Sequence, residues 1–262
     1  MGSNLHPVNQ ERLAQIEAIS LKSGKHVEGD FLNACVMEAV AYVAGEPWSD
    51  APQCACPVIT AFMVSWNDSL PNGAERDRLL KPLIPLIVGT RSTKKVEERR
   101  SYMALDWMIR VYTPKWLDMV PALLAQAKAL RELEAIADIA GAAAAGVKVC
   151  IASQEAAAAR DAAGDAARDA AWDAARDAAW AAAWDAAWDA ARDAARDAAR
   201  AAAWDAAWAA AWAAAGDAAR DAAWAAAWAA AWDAAGAALK PTTEWLQASA
   251  LNLVREMIAV QP

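Results

Sequence analysis

The 262-residue chain is poor in the side chain that most often carries acid–base catalysis, because it has only two histidines, His6 and His26. It also lacks a P-loop, a dinucleotide-binding glycine fingerprint, a nucleophile elbow and a metalloprotease HExxH helix. Carboxylates are plentiful, but a catalytic pair of carboxylates is recognised by geometry rather than by composition. The sequence therefore predicts no catalytic residue and no cofactor, and it favours a protein that is not an enzyme.

Long apolar segments are also missing. The uncharged stretches 206–216 and 222–232 are far shorter than the roughly 20 residues that span a bilayer. Residues 1–29 have no apolar core of signal-peptide length. The net charge of −8 argues against binding to a phosphate backbone, which needs a cationic surface. We expect a soluble, cytoplasmic protein that binds neither membranes nor nucleic acid directly.

A four-residue repeat fills residues 160–239, in which Arg, Trp or Gly is followed by Asp or Ala and then by two alanines. Alanine and arginine favour helix, and no proline lies between Pro121 and Pro241. Acid–base pairs three residues apart, such as Asp189 and Arg192, add about 0.2–0.5 kcal/mol each. The repeat is therefore predicted to be helical.

The four-residue period has a geometric consequence. Four residues turn an α-helix by about 400°, so the first positions of successive repeats wind around a straight helix by about 40° per repeat. An apolar period above about 3.6 residues favours a right-handed supercoil. Alternatively, the helix breaks at Gly164, Gly216 and Gly236 and folds into a bundle, or it meets different partners on different sides.

Ten tryptophans occupy first positions of the repeat. Each indole can bury about 150–250 Å², and ten exposed indoles would promote aggregation. We therefore expect contacts with other helices, either within the chain or in an identical chain; a ligand-binding or base-stacking platform is less favoured. The predicted interaction residues are Trp172, Trp180, Trp184, Trp188, Trp204, Trp208, Trp212, Trp224, Trp228 and Trp232.

The remaining segments also predict helices, so the fold class is all-α. We expect an N-terminal helical domain at 1–135, a helical repeat region at 136–239 and an amphipathic C-terminal helix at 240–262 that packs back onto the helical bundle. Prolines mark helix starts at Pro57, Pro114 and Pro121. Pro82 and Pro85 predict a kink or a break in one helix, and Pro241 predicts a stop and a restart before the C-terminal helix.

Caps and core positions follow from the same patterns. Asp30 is predicted to cap a helix over 31–44 that Gly45 ends, and Ser92 or Thr93 to cap the helix that follows. Apolar spacing predicts two sets of core residues in these helices. In the helix capped by Ser92 or Thr93 they are Tyr102, Leu105, Trp107, Met108 and Val111. In the C-terminal helix they are Trp245, Leu246, Leu251, Leu253, Val254 and Ile258.

Three of the four cysteines, Cys35, Cys54 and Cys56, are the weak candidates for a metal or redox site. The single residue between Cys54 and Cys56 is too few for a typical zinc pair, and no second pair follows. Ordinary buried cysteines are the favoured interpretation, and Cys150 is predicted to lie in the core. No metal is therefore expected.

Three motifs of the N-terminal part, GEPWSDAPQCACPVITAF, RLLKPLIPLIVGTRST and ALDWMIRVYTPKWL, precede the alanine-rich repeat. This layout resembles a family of bacterial and bacteriophage proteins that join such a helical domain to a variable tail of Trp, Arg and Asp repeats. The resemblance covers nearly the whole chain. It implies a prokaryotic or phage setting and brings no activity and no catalytic residue.

These patterns favour an interaction or assembly protein in which the repeat mediates helix–helix association, most readily self-association into a homo-oligomer. One alternative is an acidic antagonist of the phage type, a nucleic-acid mimic or host-defence inhibitor that binds a basic protein through its regularly spaced aspartates. Another is a small-ligand-binding or enzymatic N-terminal domain.

Overall fold

The computed structural model describes residues 7–24, 26–28, 30–162, 234 and 236–262. These residues form helices and short helical turns with no strand among them, so the all-α prediction is confirmed. The helices in chain order are α1 (Gln10–Glu17), α2 (Val36–Ala44), α3 (Pro57–Ser69), α4 (Gly73–Leu80), α5 (Ile84–Ile87), α6 (Lys94–Trp107), α7 (Thr113–Leu117), α8 (Leu124–Arg131), α9 (139–162) and α10 (236–259).

The chain divides into two units, one comprising Met1–Ser153 with Thr242–Pro262 and the other Gln154–Pro241. The first unit contains the hydrophobic core described below. The ten tryptophans of the repeat, and the choice between a supercoil and a bundle, lie outside the described residues. The domain boundaries at 135 and 239 and the repeat helix stay predictions.

Helix α2 is the central helix of the core, because seven of its nine residues are buried. It ends as predicted at Gly45, whose φ of 77° is a left-handed conformation that glycine adopts without strain. The prediction that Asp30 caps this helix is wrong. Asp30 precedes a 3-10 turn, Phe31–Asn33, and its carboxylate accepts hydrogen bonds from the Asn33 amide instead of a backbone N–H.

The prolines act mostly as the sequence predicts. Pro57 starts α3, Pro114 lies in the first turn of α7, and Pro121 opens a 3-10 turn that leads into α8. In the first turn of a helix the N–H that proline lacks would have no helical partner, and the fixed φ of proline suits this position, so these prolines favour a helix start. A 3-10 turn, Lys81–Leu83, separates α4 from α5. The break predicted from Pro82 and Pro85 is therefore confirmed.

The predicted stop at Pro241 is wrong, because α10 continues through this residue from 236 to 259. A proline inside a helix removes one hydrogen bond and costs about 3 kcal/mol. The following turns dock on the core through Ala250, Leu253, Val254 and Met257, and this burial offsets the cost. The prediction that the C-terminal helix packs on the N-terminal bundle is therefore confirmed for residues 242–259.

Helix α6 begins after Thr93, whose hydroxyl accepts a hydrogen bond from the Val96 N–H, so the predicted cap is confirmed. Its last turn passes into a π-helical turn, Met108–Tyr112, that leads to α7. Leu105 lies about 200° around the helix from Trp107, so the two side chains cannot both face the core. Trp107 is buried as predicted, but Leu105 and Met108 are exposed, contrary to the prediction.

Candidate functional site

The cysteine cluster predicted as a weak metal or redox candidate is buried. Cys35, Cys54 and Cys56 are free thiols inside the core. Burial raises the pKa of Cys35 to about 12 and the pKa of Cys54 to about 11, so both stay protonated near neutral pH. Within the described part of the chain, no group of three or more His, Cys, Asp or Glu side chains is placed to hold a metal ion.

Cys150, which the sequence predicts to lie in the core, is instead exposed on α9. Its side of the helix faces away from Ala145 and Ala152, the two alanines through which α9 is buried. The alanine-rich composition explains the error, because it leaves the apolar period on α9 ambiguous between two faces.

A buried carboxylate that the sequence does not single out joins α2 to the segment before it. Glu38 accepts hydrogen bonds from the Cys35 N–H at 2.8 Å, from the His26 N–H at 2.7 Å and from His26 Nδ1 at 3.0 Å. Burial opposes ionisation of Glu38, but these hydrogen bonds outweigh it and hold the pKa of the carboxyl below its usual value. The arrangement is a structural anchor, since the carboxylate is fully enclosed.

A cleft of about 480 Å³ lies between α6 and α10. The two helices are antiparallel here, because Arg100 Nε donates to the Met257 carbonyl at 2.7 Å, while Trp107 Nε1 donates to Ser249 Oγ at 2.8 Å, seven residues further along α6. Each helix contributes residues at helical spacing to the cleft. They are Arg99, Tyr102, Met103 and Asp106 from α6, and Ser249, Asn252, Leu253 and Glu256 from α10.

The antiparallel arrangement places different chemistry at the two ends of the cleft. Arg99 and Glu256 share one end, next to the Arg100–Met257 contact. Asp106 lies near the other end and accepts hydrogen bonds from the Ile136 N–H at 2.8 Å and from Arg110 Nη1 at 3.1 Å. The segment 135–137 is thereby held against that end, and Ile136 is buried there.

Four polar side chains of the cleft have no partner among the residues that the structure describes. Arg99, Tyr102, Asn252 and Glu256 form no hydrogen bond or ion pair with any described residue, in contrast to Asp106. Apolar side chains, including Met103 and Leu253, lie between them. Arg99, Asn252 and Glu256 are exposed to solvent, so the cleft combines an apolar wall with polar side chains at its rim, an arrangement also found in small-molecule sites.

A second candidate surface is the outer face of α9. Ile139, Val147 and Ile151 are 74%, 64% and 47% exposed. They fall within about 120° of arc around the helix axis, on the side opposite to Ala145 and Ala152, which are buried. Helix α9 therefore has a small buried alanine face and a larger exposed apolar face.

Sequence reasoning missed both of these surfaces, for different reasons. The cleft joins residues that are about 150 positions apart, and no local pattern reveals such a pairing. The α9 face did carry a signal, because residues 139, 143, 147 and 151 follow the same four-residue period as the repeat. These positions are one residue out of register with the repeat, because the same spacing continues to Glu155 and Ala159 instead of Arg160.

Comparisons with protein-family models, curated proteins and solved structures found no match to this chain. The resemblance to bacterial and bacteriophage proteins therefore stays a prediction. No helix in the described ranges is long and apolar enough to cross a membrane.

Proposed function

We propose that the protein is a non-enzymatic assembly protein that associates with a second copy of itself through α9 and the tryptophan-bearing repeat that follows it. The observation that carries the proposal is the exposed apolar face of α9 formed by Ile139, Val147 and Ile151. Exposed apolar patches of this kind mark interaction surfaces.

The composition of the face suits contact with another helix. Ala143 and Gly146 lie between its large side chains, and small residues let two helix backbones approach closely. The face itself has no charged residue between Ile139 and Val147. Burying three branched aliphatic side chains stabilises an interface by about 1.5–3 kcal/mol each when the burial is complete.

The partner is a second copy because the pattern is self-complementary. The large apolar residues of α9 are spaced by eight and four residues, multiples of the four-residue step of the repeat although one residue out of register with it, and a surface with this step matches another of the same step along its length. The repeat contains both Asp and Arg at regular spacing, so two copies can pair opposite charges. Its tryptophans supply the aromatic side chains that are enriched in interfaces.

Sedimentation or light scattering of the full chain over a range of concentrations tests the proposal. We expect reversible oligomers, and we expect Val147→Gln with Ile151→Gln to weaken the association, since glutamine keeps helix propensity but removes the apolar contact. The control variant carries Leu32→Gln with Leu124→Gln, two exposed leucines outside α9. A chain that stays monomeric at every concentration, or that responds equally to both variants, overturns the proposal.

The acidic-antagonist hypothesis rests on the aspartates of the repeat, nearly all of which lie outside the described residues. No contact among the described residues favours it over self-association.

A further inference from the structure

Beyond assembly, the cleft between α6 and α10 has the features of a ligand site. Its volume of about 480 Å³ is within the range of small-molecule pockets. The helices that form it are tied together on both sides, by Arg100 and Met257 at one end and by Trp107 and Ser249 at the other. Its walls are therefore preorganised, so a ligand would not have to order them on binding.

The unpaired charges limit the class of ligand. Arg99 and Glu256 lie at the same end of the cleft, and neither has an ion-pair partner among the described residues. An anionic ligand would satisfy only the guanidinium, and a cationic ligand only the carboxylate. A molecule with adjacent positive and negative groups satisfies both, and arginine pairs with a carboxylate through two parallel hydrogen bonds.

The remaining part of the cleft limits the body of the ligand. Apolar walls line the cleft beyond the charged end, and they are formed by Met103, Val111, Leu253 and Ile136. At the other end of the cleft, the carboxylate of Asp106 already accepts hydrogen bonds from the Ile136 N–H and from Arg110, with which it forms an ion pair, so this end offers no unpaired charge. An apolar group that reaches this end is therefore favoured over a polar one.

We infer that the cleft binds a free α-amino acid with an apolar side chain. The carboxylate of the ligand pairs with Arg99, its ammonium group pairs with Glu256, and its side chain lies against Met103 and Leu253. Tyr102 and Asn252 are placed along the cleft to complete the hydrogen bonds of the two charged groups. This inference does not depend on self-association, because every residue that carries it lies outside α9 and the repeat.

Isothermal titration of the full chain with L-leucine and L-phenylalanine is the direct test. We expect saturable binding, and we expect leucinamide and 4-methylpentanoate, which lack the carboxylate and the ammonium group respectively, to bind about tenfold more weakly or worse. The variants Arg99→Gln and Glu256→Gln should each weaken leucine binding by about tenfold or more. Both positions are exposed and unpaired, so the variants should fold normally.

Two matched variants on the same helices control for general charge effects. Glu98→Gln on α6 and Arg255→Gln on α10 change exposed residues that do not line the cleft, and leucine binding should be unchanged in both. The pairing is tested further with leucinamide, whose affinity should not respond to Arg99→Gln because it has no carboxylate for Arg99. The inference is overturned if neither amino acid binds more tightly than about 10 mM, or if Arg99→Gln and its control have the same effect.

Discussion

The guanidinium of Arg100 donates a hydrogen bond from Nε to the carbonyl oxygen of Met257 at 2.7 Å, and its Nη2 reaches the carbonyl of Val260 at 3.2 Å. Met257 lies in the last turn of α10, where the helix dipole is negative, and its carbonyl also accepts a hydrogen bond from the Val260 N–H at 3.3 Å, while Val260 directly follows the helix. A third bond from Nη1 to the Thr90 carbonyl at 2.6 Å connects α10 to the loop before α6. Arg100 therefore fixes the end of α10 on the core.

Replacing Arg100 with Met should destabilise the fold. Methionine keeps most of the apolar stem but removes all three charge-assisted hydrogen bonds, and we expect a loss of about 2–4 kcal/mol in the free energy of unfolding. Urea unfolding measures the loss. Arg255→Met, which changes an exposed arginine on α10, is the control and should stay within about 0.5 kcal/mol of the unmodified protein. Equal effects of the two variants would contradict the role of Arg100.

Glu38→Gln should change the pH dependence of stability. The pKa of Glu38 is lowered in the folded state, so the carboxylate contributes stability that is present above its ordinary value of 4.5 and is lost as pH falls through the folded-state pKa. At neutral pH the amide offers a poorer acceptor to the N–H groups of Cys35 and His26, and we expect a cost of about 1–3 kcal/mol.

The difference between Glu38→Gln and the unmodified protein should therefore shrink as the pH is lowered below 4.5, when followed by urea unfolding at several pH values. Glu28→Gln, at an exposed position in the same segment, should show no such trend. A difference that stays constant with pH would mean that the carboxylate of Glu38 is not ionised in the folded protein.

Thiol labelling should distinguish Cys150 from the other three cysteines. Cys150 is exposed, whereas Cys35, Cys54 and Cys56 are buried. Burial also raises the pKa of Cys35 to about 12 and of Cys54 to about 11, so little reactive thiolate is present in either. With a chromogenic disulfide reagent at neutral pH, at a protein concentration low enough to keep the chain monomeric, we expect one fast thiol in the folded protein and four after unfolding in urea. The fast thiol should vanish in Cys150→Ser.

Ser249→Ala should leave the indole N–H of Trp107 without a partner. The Nε1–Oγ distance is 2.8 Å and Trp107 is buried, so an unsatisfied donor would cost about 1–2 kcal/mol in the free energy of unfolding. Ser101→Ala is the control. Ser101 lies on an exposed side of α6, the helix that carries Trp107, and its hydroxyl donates only to the Glu98 carbonyl. Chemical denaturation compares the two, and a cost for Ser249→Ala no larger than that for Ser101→Ala would count against the bond.

Several local features of the fold could be predicted from the sequence. Thr93 caps α6, Pro57 starts α3 and Gly45 ends α2, because the hydroxyl, the ring and the missing Cβ act on backbone groups within a few residues. Asp30 shows the limit of such reasoning. It has the right residue type for a cap, but the amide of Asn33 competes successfully for its carboxylate.

The candidate sites were less predictable, because they depend on contacts between distant segments. Arg100 and Met257 are 157 positions apart, and nothing in either helix alone indicates that they meet. The exposure of Trp245 is a similar case. The spacing in α10 assigns it to the core, yet it is 47% exposed and lies under the ammonium group of Lys115, 5.0 Å from the ring centroid.

The sequence by itself determined that this chain is all-α and where most of its helices begin and end, since helix propensity, caps and prolines act over a single turn. It also determined the four-residue period of the repeat. Only the tertiary structure decided which face of each helix is buried, that α10 passes through Pro241, and that α6 and α10 enclose a cleft. These outcomes depend on packing between segments far apart in the chain, where burial of apolar surface outweighs local preference.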